Sequence, residues 1–211
     1  MKAKRVIEAQ RAFSYVVKSD TGFAPNPFHG WCTLACCKPS IRRHAAPGDL
    51  IVGLSTRSER IVYVMRVAEK LTFTEYWNDR RFTRKRPKWA ATRIRERCGD
   101  NIYRPLESGG FEQQVSAHWD HEHDRPHEGN LAHDTRTDAV LAAKEFVYFG
   151  GEGPALPEYL AFLKVGRAHR SRFTELELQE IERLFATLPR GIQDRPSLWS
   201  KTDSSWRPGC A

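Results

Sequence analysis

Apolar positions along the chain fall into short runs, and only one stretch keeps a sustained helical period. In residues 12–18, AFSYVVK, the side chains of Phe13, Tyr15 and Val17 alternate with Ser14 and Val16, the two-residue period of a strand. Residues 48–54 (GDLIVGL) and 61–71 (IVYVMRVAEKL) are two more strand-like runs, and the STRSER between them has the length of a hairpin loop. A fourth apolar run, AVLAAKEFVYFG, covers residues 139–150. The late run FTELELQEIERLFATLPRG is a helix by its signals. Thr174 and Glu177 are spaced as a capping box, Leu178, Ile181, Leu184, Phe185 and Leu188 form the apolar side, and Pro189 with Gly191 supplies the stop.

The intervening segments carry turn chemistry. SDTGFAPNPFHG holds two prolines, two glycines and Asn26, the composition of a long ordered loop. CTLACCKPSIRRHA is a short helix or turn interrupted by Pro39, and EYWNDRRF opens a helix that Pro87 keeps from continuing. Residues 99–138 show no sustained period, which in a compact domain marks a functional or mobile loop. Strands before the midpoint, one strand near residue 145 and a late helix do not alternate as βαβ units. The expected fold is therefore α+β with a curved, mostly antiparallel sheet. Neither GxGxxG nor GxxxxGK[ST] occurs, which disfavours Rossmann and P-loop architectures. The expected organisation is an extension over 1–11, a single domain over 12–190 and a polar, loosely held tail over 191–211.

With 211 residues, 40% of them hydrophobic and 28% charged, the chain has the balance of a soluble globular domain. No window approaches a membrane span, and MKAKRVIE meets an acid before any apolar leader develops, so a cytoplasmic protein with no membrane partner is expected. Three of the five cysteines (Cys32, Cys36, Cys37) crowd into six residues without the spacing of a disulfide framework. Reduced thiols are expected, since bridging the neighbours Cys36 and Cys37 would strain the backbone.

The net charge of +8 has a single location. Residues 80–97 hold nine basic residues and one acid, and the remainder of the chain is neutral. Arg80, Arg81, Arg84, Lys85, Arg86, Lys88 and Arg93, interleaved with Phe82 and Trp89, form a candidate phosphate-binding stretch.

Three groups of residues could carry chemistry. Five of the eight histidines lie within residues 118–133; no metal or cofactor is expected, and His118, His121 and His123 are the set that would hold a metal if one bound. Of these, His118 follows the best anchored stretch and is the one expected to face a pocket. In CxxxCC, Cys37 stands beside Lys38 with Arg42 nearby, a basic setting for a nucleophilic thiol, but buried structural thiols are the expected reading of the cluster, ahead of a catalytic one. At the end of the first strand, Lys18, Ser19 and Asp20 deliver three polar side chains to a proline-fixed loop in which Asn26 and Phe28 could line a pocket, with Trp31, Trp77 or Trp89 as further walls.

The order YVVKSDTGFAPNPF, CTLACCKPSIRRHAAPGDLIVGL, CGDNIYRP and HD before VLAAKEFVYFG resembles the second of the nucleotide modification associated domain families, over residues 12–190. GFAPNPF, CKPSIR and GDNIY are its most specific pieces. The resemblance implies a role in systems that make or handle modified bases in DNA, often in phage and mobile bacterial loci. A second likeness, to EVE and other PUA-like domains, implies a curved barrel in which Lys18, Ser19 and Asp20 line a base pocket and Trp77 stacks on the base. Together these lead to an expected reader of a modified base or nucleotide, with DNA and other proteins of the modification system as partners. The alternatives are an enzyme that modifies a base or nucleotide, with Asp20 or a loop histidine as base and Lys38 or Arg42 on a phosphate, or a structural subunit.

Overall fold

The computed structural model describes residues 11–166 and 168–199. Strand β1 (Ala12–Val16) leads through the proline loop to β2 (Cys32–Leu34) and the short helix α1 (Pro39–His44). The hairpin β3 (Leu50–Leu54) and β4 (Ile61–Arg66) follows, then β5 (Glu69–Leu71), α2 (Phe73–Asn78), α3 (Ile94–Arg97) and the hairpin β6 (Tyr103–Pro105) and β7 (Phe111–Gln113). Helix α4 (Glu128–Asp134), β8 (Val140–Ala143), β9 (Glu145–Tyr148), β10 (His169–Arg170), α5 (Glu175–Thr187) and β11 (Gly191–Ile192) complete the chain.

Six strands form one sheet in the order β10-β1-β3-β4-β9-β11, three form a second in the order β2-β8-β5, and β6 pairs with β7. Most pairings are antiparallel, but β1 runs parallel to β3 and β9 parallel to β11. The sheets do not close into a barrel: β10 and β11 remain the edges of the large sheet. The reason lies in the two longest apolar runs, each of which serves two sheets. The 61–71 run leaves the large sheet after Arg66 and enters the small one at Glu69, and the 139–150 run makes the reverse crossing at Lys144. Curvature expected from a single barrel is thus divided between two stacked sheets.

One face of the large sheet, with Leu50, Val52, Leu54, Val64 and Val147, packs with Ile181, Leu184 and Phe185 of α5. The capping box of α5 is present as its sequence predicts, and burying each such aliphatic or aromatic side chain contributes about 1.5–3 kcal/mol. The other face, with Phe13, Tyr15, Ile51, Tyr63 and Tyr148, packs with Cys32, Leu34, Leu141 and Ala143 of the small sheet. Beyond the small sheet a third cluster gathers Cys36, Phe73, Tyr76, Phe82, Ile102, Tyr103, Val140 and Ala142. Gly53 matters to this layering, because a side chain there would meet the Tyr63 ring at 2.2 Å and deny Tyr63 its 2.9 Å hydroxyl contact with Tyr15.

The segment expected to be a loose tail begins with packed structure. Strand β11 pairs with β9, and Trp199 stacks on Phe28 with ring centroids 5.5 Å apart while its indole N–H donates to the Thr21 carbonyl at 2.9 Å. The remainder of that tail, and residues 1–10, lie outside the described residues. No helix of the described residues is long and apolar enough to cross a membrane.

Candidate active site

The adjacent cysteines of CxxxCC serve different surroundings. Cys36 is fully buried in the third core cluster, whereas Cys37 lines a cavity of about 740 Å³ between the end of β1, α1 and the 117–133 region. Cys37 and Lys38 both adopt left-handed backbone, φ 59° and 42°, immediately before Pro39 opens α1. Two successive non-glycine residues in this region cost of order 1–3 kcal/mol each and persist only where the surroundings impose them. Here the Cys37 N–H donates to Asp134 Oδ1 at 2.7 Å, and Arg42 Nε donates to the Cys37 carbonyl at 2.7 Å. Arg42 extends the clamp, donating to the carbonyls of Asp134 at 2.6 Å and Ala139 at 2.7 Å.

The turn aims the thiol at an imidazole. Cys37 Sγ lies 3.6 Å from His118 Nε2, and His118 Nδ1 lies 2.9 Å from Asp134 Oδ2. Asp134, at the end of α4, has no exposed side-chain surface, and Tyr103 also donates to its Oδ2, at 2.7 Å. With Oδ2 accepting from Nδ1–H, the imidazole presents Nε2 to the sulfur. The loop that carries His118 is fastened through its backbone: Gln113 and Asn130 donate to the His118 carbonyl at 3.0 and 3.2 Å. Gln113 also accepts from the His127 N–H at 2.8 Å, tying β7 to the start of α4. Phe23 walls the imidazole at a centroid separation of 4.7 Å.

A thiol, an imidazole and a buried carboxylate in this chain of contacts form a nucleophile–base–orienter set. Burial alone would lower the His118 pKa, but the hydrogen bonds and charges of Asp134 and Cys37 outweigh it and hold it up at about 9. Burial would raise Asp134, and its bonds from His118 and Tyr103 instead keep it below the usual carboxylate range. His118 binds its proton more tightly folded than unfolded, where its value is near 6.5. Its contribution to stability is therefore complete below that value and is lost as pH rises through about 9. In a pH–rate profile the high-pH limb should fall near 9, and Asp134→Asn should move that limb toward the ordinary histidine range. A limb unmoved by Asp134→Asn would count against the pairing.

A family model described as nucleotide modification associated domain 2 matches residues 9–203. The chain belongs to this family. No curated protein and no solved structure matches it.

Within this member of the nucleotide modification associated domain 2 family, the residues singled out in the sequence divide sharply. Lys18, Ser19, Cys37, Lys38 and His118 line the cavity together. Asp20 does not: it is buried and accepts from the Tyr148 hydroxyl and from the Ser197 N–H at 2.8 Å, anchoring the C-terminal segment. Asn26 is buried and bonded to the carbonyls of Gly22 and Cys98. Phe28 is covered by Trp199, Trp77 lies beneath the Arg86 guanidinium at 4.0 Å, and Arg42 is the backbone clamp described above.

The basic stretch divides as well. Arg81 forks onto Glu69 at 2.7 and 2.8 Å and also pairs with Asp79, Lys85 is buried, and Arg86 donates to the Trp77 carbonyl. Arg80, Arg84, Lys88 and Arg93 are exposed and have no ion-pair partner among the described residues. His118, His121 and His123 do not converge, since His121 stacks on Trp89 and His123 bonds to Asp120. Among the described residues the metal-capable trio is Cys36, His118 and Asp134, with ligand atoms within 4.8 Å of one another. Holding a cation there would require Cys36 to lose a proton that burial makes it keep, and His118 Nδ1 to give up Asp134.

Sequence reasoning missed Asp134, Tyr103, Gln113, Asn130 and Phe23. Asp134 had a signal: a Cys and a His considered together call for an acid to orient the imidazole, and Asp134 stands five residues before the fourth apolar run.

Proposed function

We propose that this protein is a cysteine-dependent acyl-transfer enzyme acting on a base or nucleotide in a nucleotide modification system. The observation that carries the reading is the Cys37–His118–Asp134 alignment, opening on a cavity whose size lies within the range of small-molecule sites. In the reaction, the Cys37 sulfur attacks the carbonyl carbon of an amide or ester, with its proton held on His118. A C–S bond forms, the C–N or C–O bond breaks, and His118 Nε2 returns the proton to the leaving amine or alcohol. Water or an amine then attacks the thioester, His118 takes its proton, and the thiol is regenerated. Asp134 is the positioning residue that holds the imidazole tautomer and balances its charge. Lys38, the neighbour of the nucleophile, lines the same cavity.

A reader that depends on Asp20, Asn26, Phe28 and Trp77 has less support, because those side chains are engaged in holding the fold. The exposed Arg80, Arg84, Lys88 and Arg93 would draw anionic partners to the molecule under either reading.

The test is intact-mass spectrometry of the protein with a panel of N-acylated and ester-bearing nucleosides and nucleotides. A transient mass increase equal to the acyl group, mapped to Cys37 and followed by release of the deacylated product, is expected. Stoichiometric binding with neither adduct nor product would reject the proposal in favour of a reader. Turnover abolished by EDTA and restored by zinc would reassign the chemistry to Cys36, His118 and Asp134.

A further inference from the structure

The cavity also presents cationic side chains. Besides the thiol and imidazole it is lined by Lys18, which follows β1, by Lys38 and by His169 of β10, and the described lining includes no Asp or Glu. The first strand and its partner carry two of the three: His169 is in register with Tyr15 of β1, its ring 6.1 Å from that of Phe13, and Lys18 stands just past the end of β1. The Lys38 ammonium sits 4.7 Å from the Tyr15 ring centroid. Among the described residues neither lysine has a carboxylate partner, in contrast to Arg66, Arg81 and Arg170, which are all paired. Two ammonium-bearing side chains thus line one cavity, Lys18 exposed and Lys38 half-buried, and burial together with the positive charge of Lys18 lowers the Lys38 pKa. Such an arrangement is relieved by an anion bound between them.

The geometry points to a phosphate subsite formed by Lys18, Lys38 and His169, so that the substrate is a mononucleotide whose phosphate rests there while its acyl-bearing base reaches Cys37. The inference rests on the reading of Cys37 as the nucleophile for which end of the substrate lies where, but not for whether the phosphate binds. A cavity of about 740 Å³ is large enough for a complete nucleotide rather than a lone flipped base. Lys38 follows Cys37 in the strained turn, so the same backbone constraint positions nucleophile and anion ligand.

The experiment is calorimetric titration of the Cys37→Ala protein, which removes chemistry from the readout, with the four deoxynucleoside 5′-monophosphates and the matching deoxynucleosides. At least one monophosphate should bind about tenfold or more tightly than its nucleoside, the gain expected of a charge-assisted phosphate contact. Lys18→Met and Lys38→Met should each remove most of that gain and leave nucleoside affinity unchanged. Lys18 is exposed, so its variant keeps the test valid if Lys38→Met perturbs the turn. Equal affinity for every nucleoside and its monophosphate, or a phosphate gain indifferent to both lysines, would overturn the subsite. Tighter binding of a single-stranded oligonucleotide through the same lysines would overturn the mononucleotide and place the phosphate in a nucleic acid. Loss of the subsite with retained Cys37 adducts would leave the enzyme proposal standing, and the converse would leave only a nucleotide-binding pocket.

Discussion

Replacing Cys37 with alanine is expected to lower turnover by about 10³-fold or more, the scale on which removing one member of a catalytic set acts, with the fold retained. The side chain lines the cavity and is half-buried, so truncating it removes little packing, and the backbone bonds that hold its turn come from its N–H and carbonyl. The other described thiols provide the control. Cys32 and Cys36 are buried among apolar groups that push their pKa values upward, to about 12 for Cys32, and Cys98 donates to the Thr21 carbonyl at 3.1 Å. A limiting dose of iodoacetamide should therefore label Cys37 first, and labelling should track the loss of activity. Activity that survives Cys37→Ala, or inactivation that tracks modification of a different cysteine, would remove Cys37 from the mechanism.

The second large effect is on stability. Lys85→Ala is expected to cost about 3–5 kcal/mol, the range for removing one partner from a buried charged network. In a chain of this size that corresponds to a fall in melting temperature of roughly 10 °C. Lys85 is 1% exposed, and its ammonium donates to the Asn26 carbonyl at 2.8 Å, to Asn26 Oδ1 at 2.6 Å and to the Trp31 carbonyl at 2.7 Å. Burial drives its pKa down to about 8, with Asp100 opposing the fall. Asp100 is itself buried and accepts from Tyr76 at 2.7 Å and Thr33 at 2.8 Å. Losing the ammonium takes a donor from three oxygens, of which the Asn26 carbonyl keeps the Thr33 N–H at 2.9 Å, and leaves a buried carboxyl without its counter-charge. Urea denaturation followed by circular dichroism should show the shift for Lys85→Ala and almost none for Arg84→Ala. A melting temperature unchanged by Lys85→Ala would show that the network does not hold the proline loop to the basic stretch.

Lys85 also shows why a charge run is a poor guide to function. In the sequence it is one of nine basic residues and looks like its neighbours. In the fold, the 3-10 turn over Arg80–Lys85 places Phe82 and Lys85 inward and leaves Arg80 and Arg84 outside. Periodicity alone could not assign these sides, because Pro87 breaks the pattern and the inward positions are specified by distant carbonyls at Asn26 and Trp31. Asp20 is a parallel case. A polar triplet after a strand suggests a binding platform, and Lys18 and Ser19 do line the cavity. Asp20 turns inward because Tyr148, 128 residues away, offers a buried hydroxyl.

By itself the sequence determined the strands over 12–18, 48–54 and the first part of 61–71, the capped helix near the C-terminus, the α+β class and the family. These depend on local periods, caps and motif order, which are written in neighbouring residues. It also drew attention to Cys37, Lys38 and His118, because their residue types are chemically reactive wherever they stand. Tertiary structure alone decided that the two longest apolar runs would each cross between sheets, since a run of apolar residues does not record which sheet buries it. It alone chose Cys37 over Cys36 as the thiol facing the cavity, through a left-handed turn imposed by Asp134 and Arg42. The 99–138 segment, aperiodic in sequence, acquires its order from the same source: His118 and Asp134 are 16 residues apart, yet both meet a turn more than 80 residues earlier. Contacts over such separations are selected by packing and by the pairing of buried polar groups, and neither leaves a local signature in the chain.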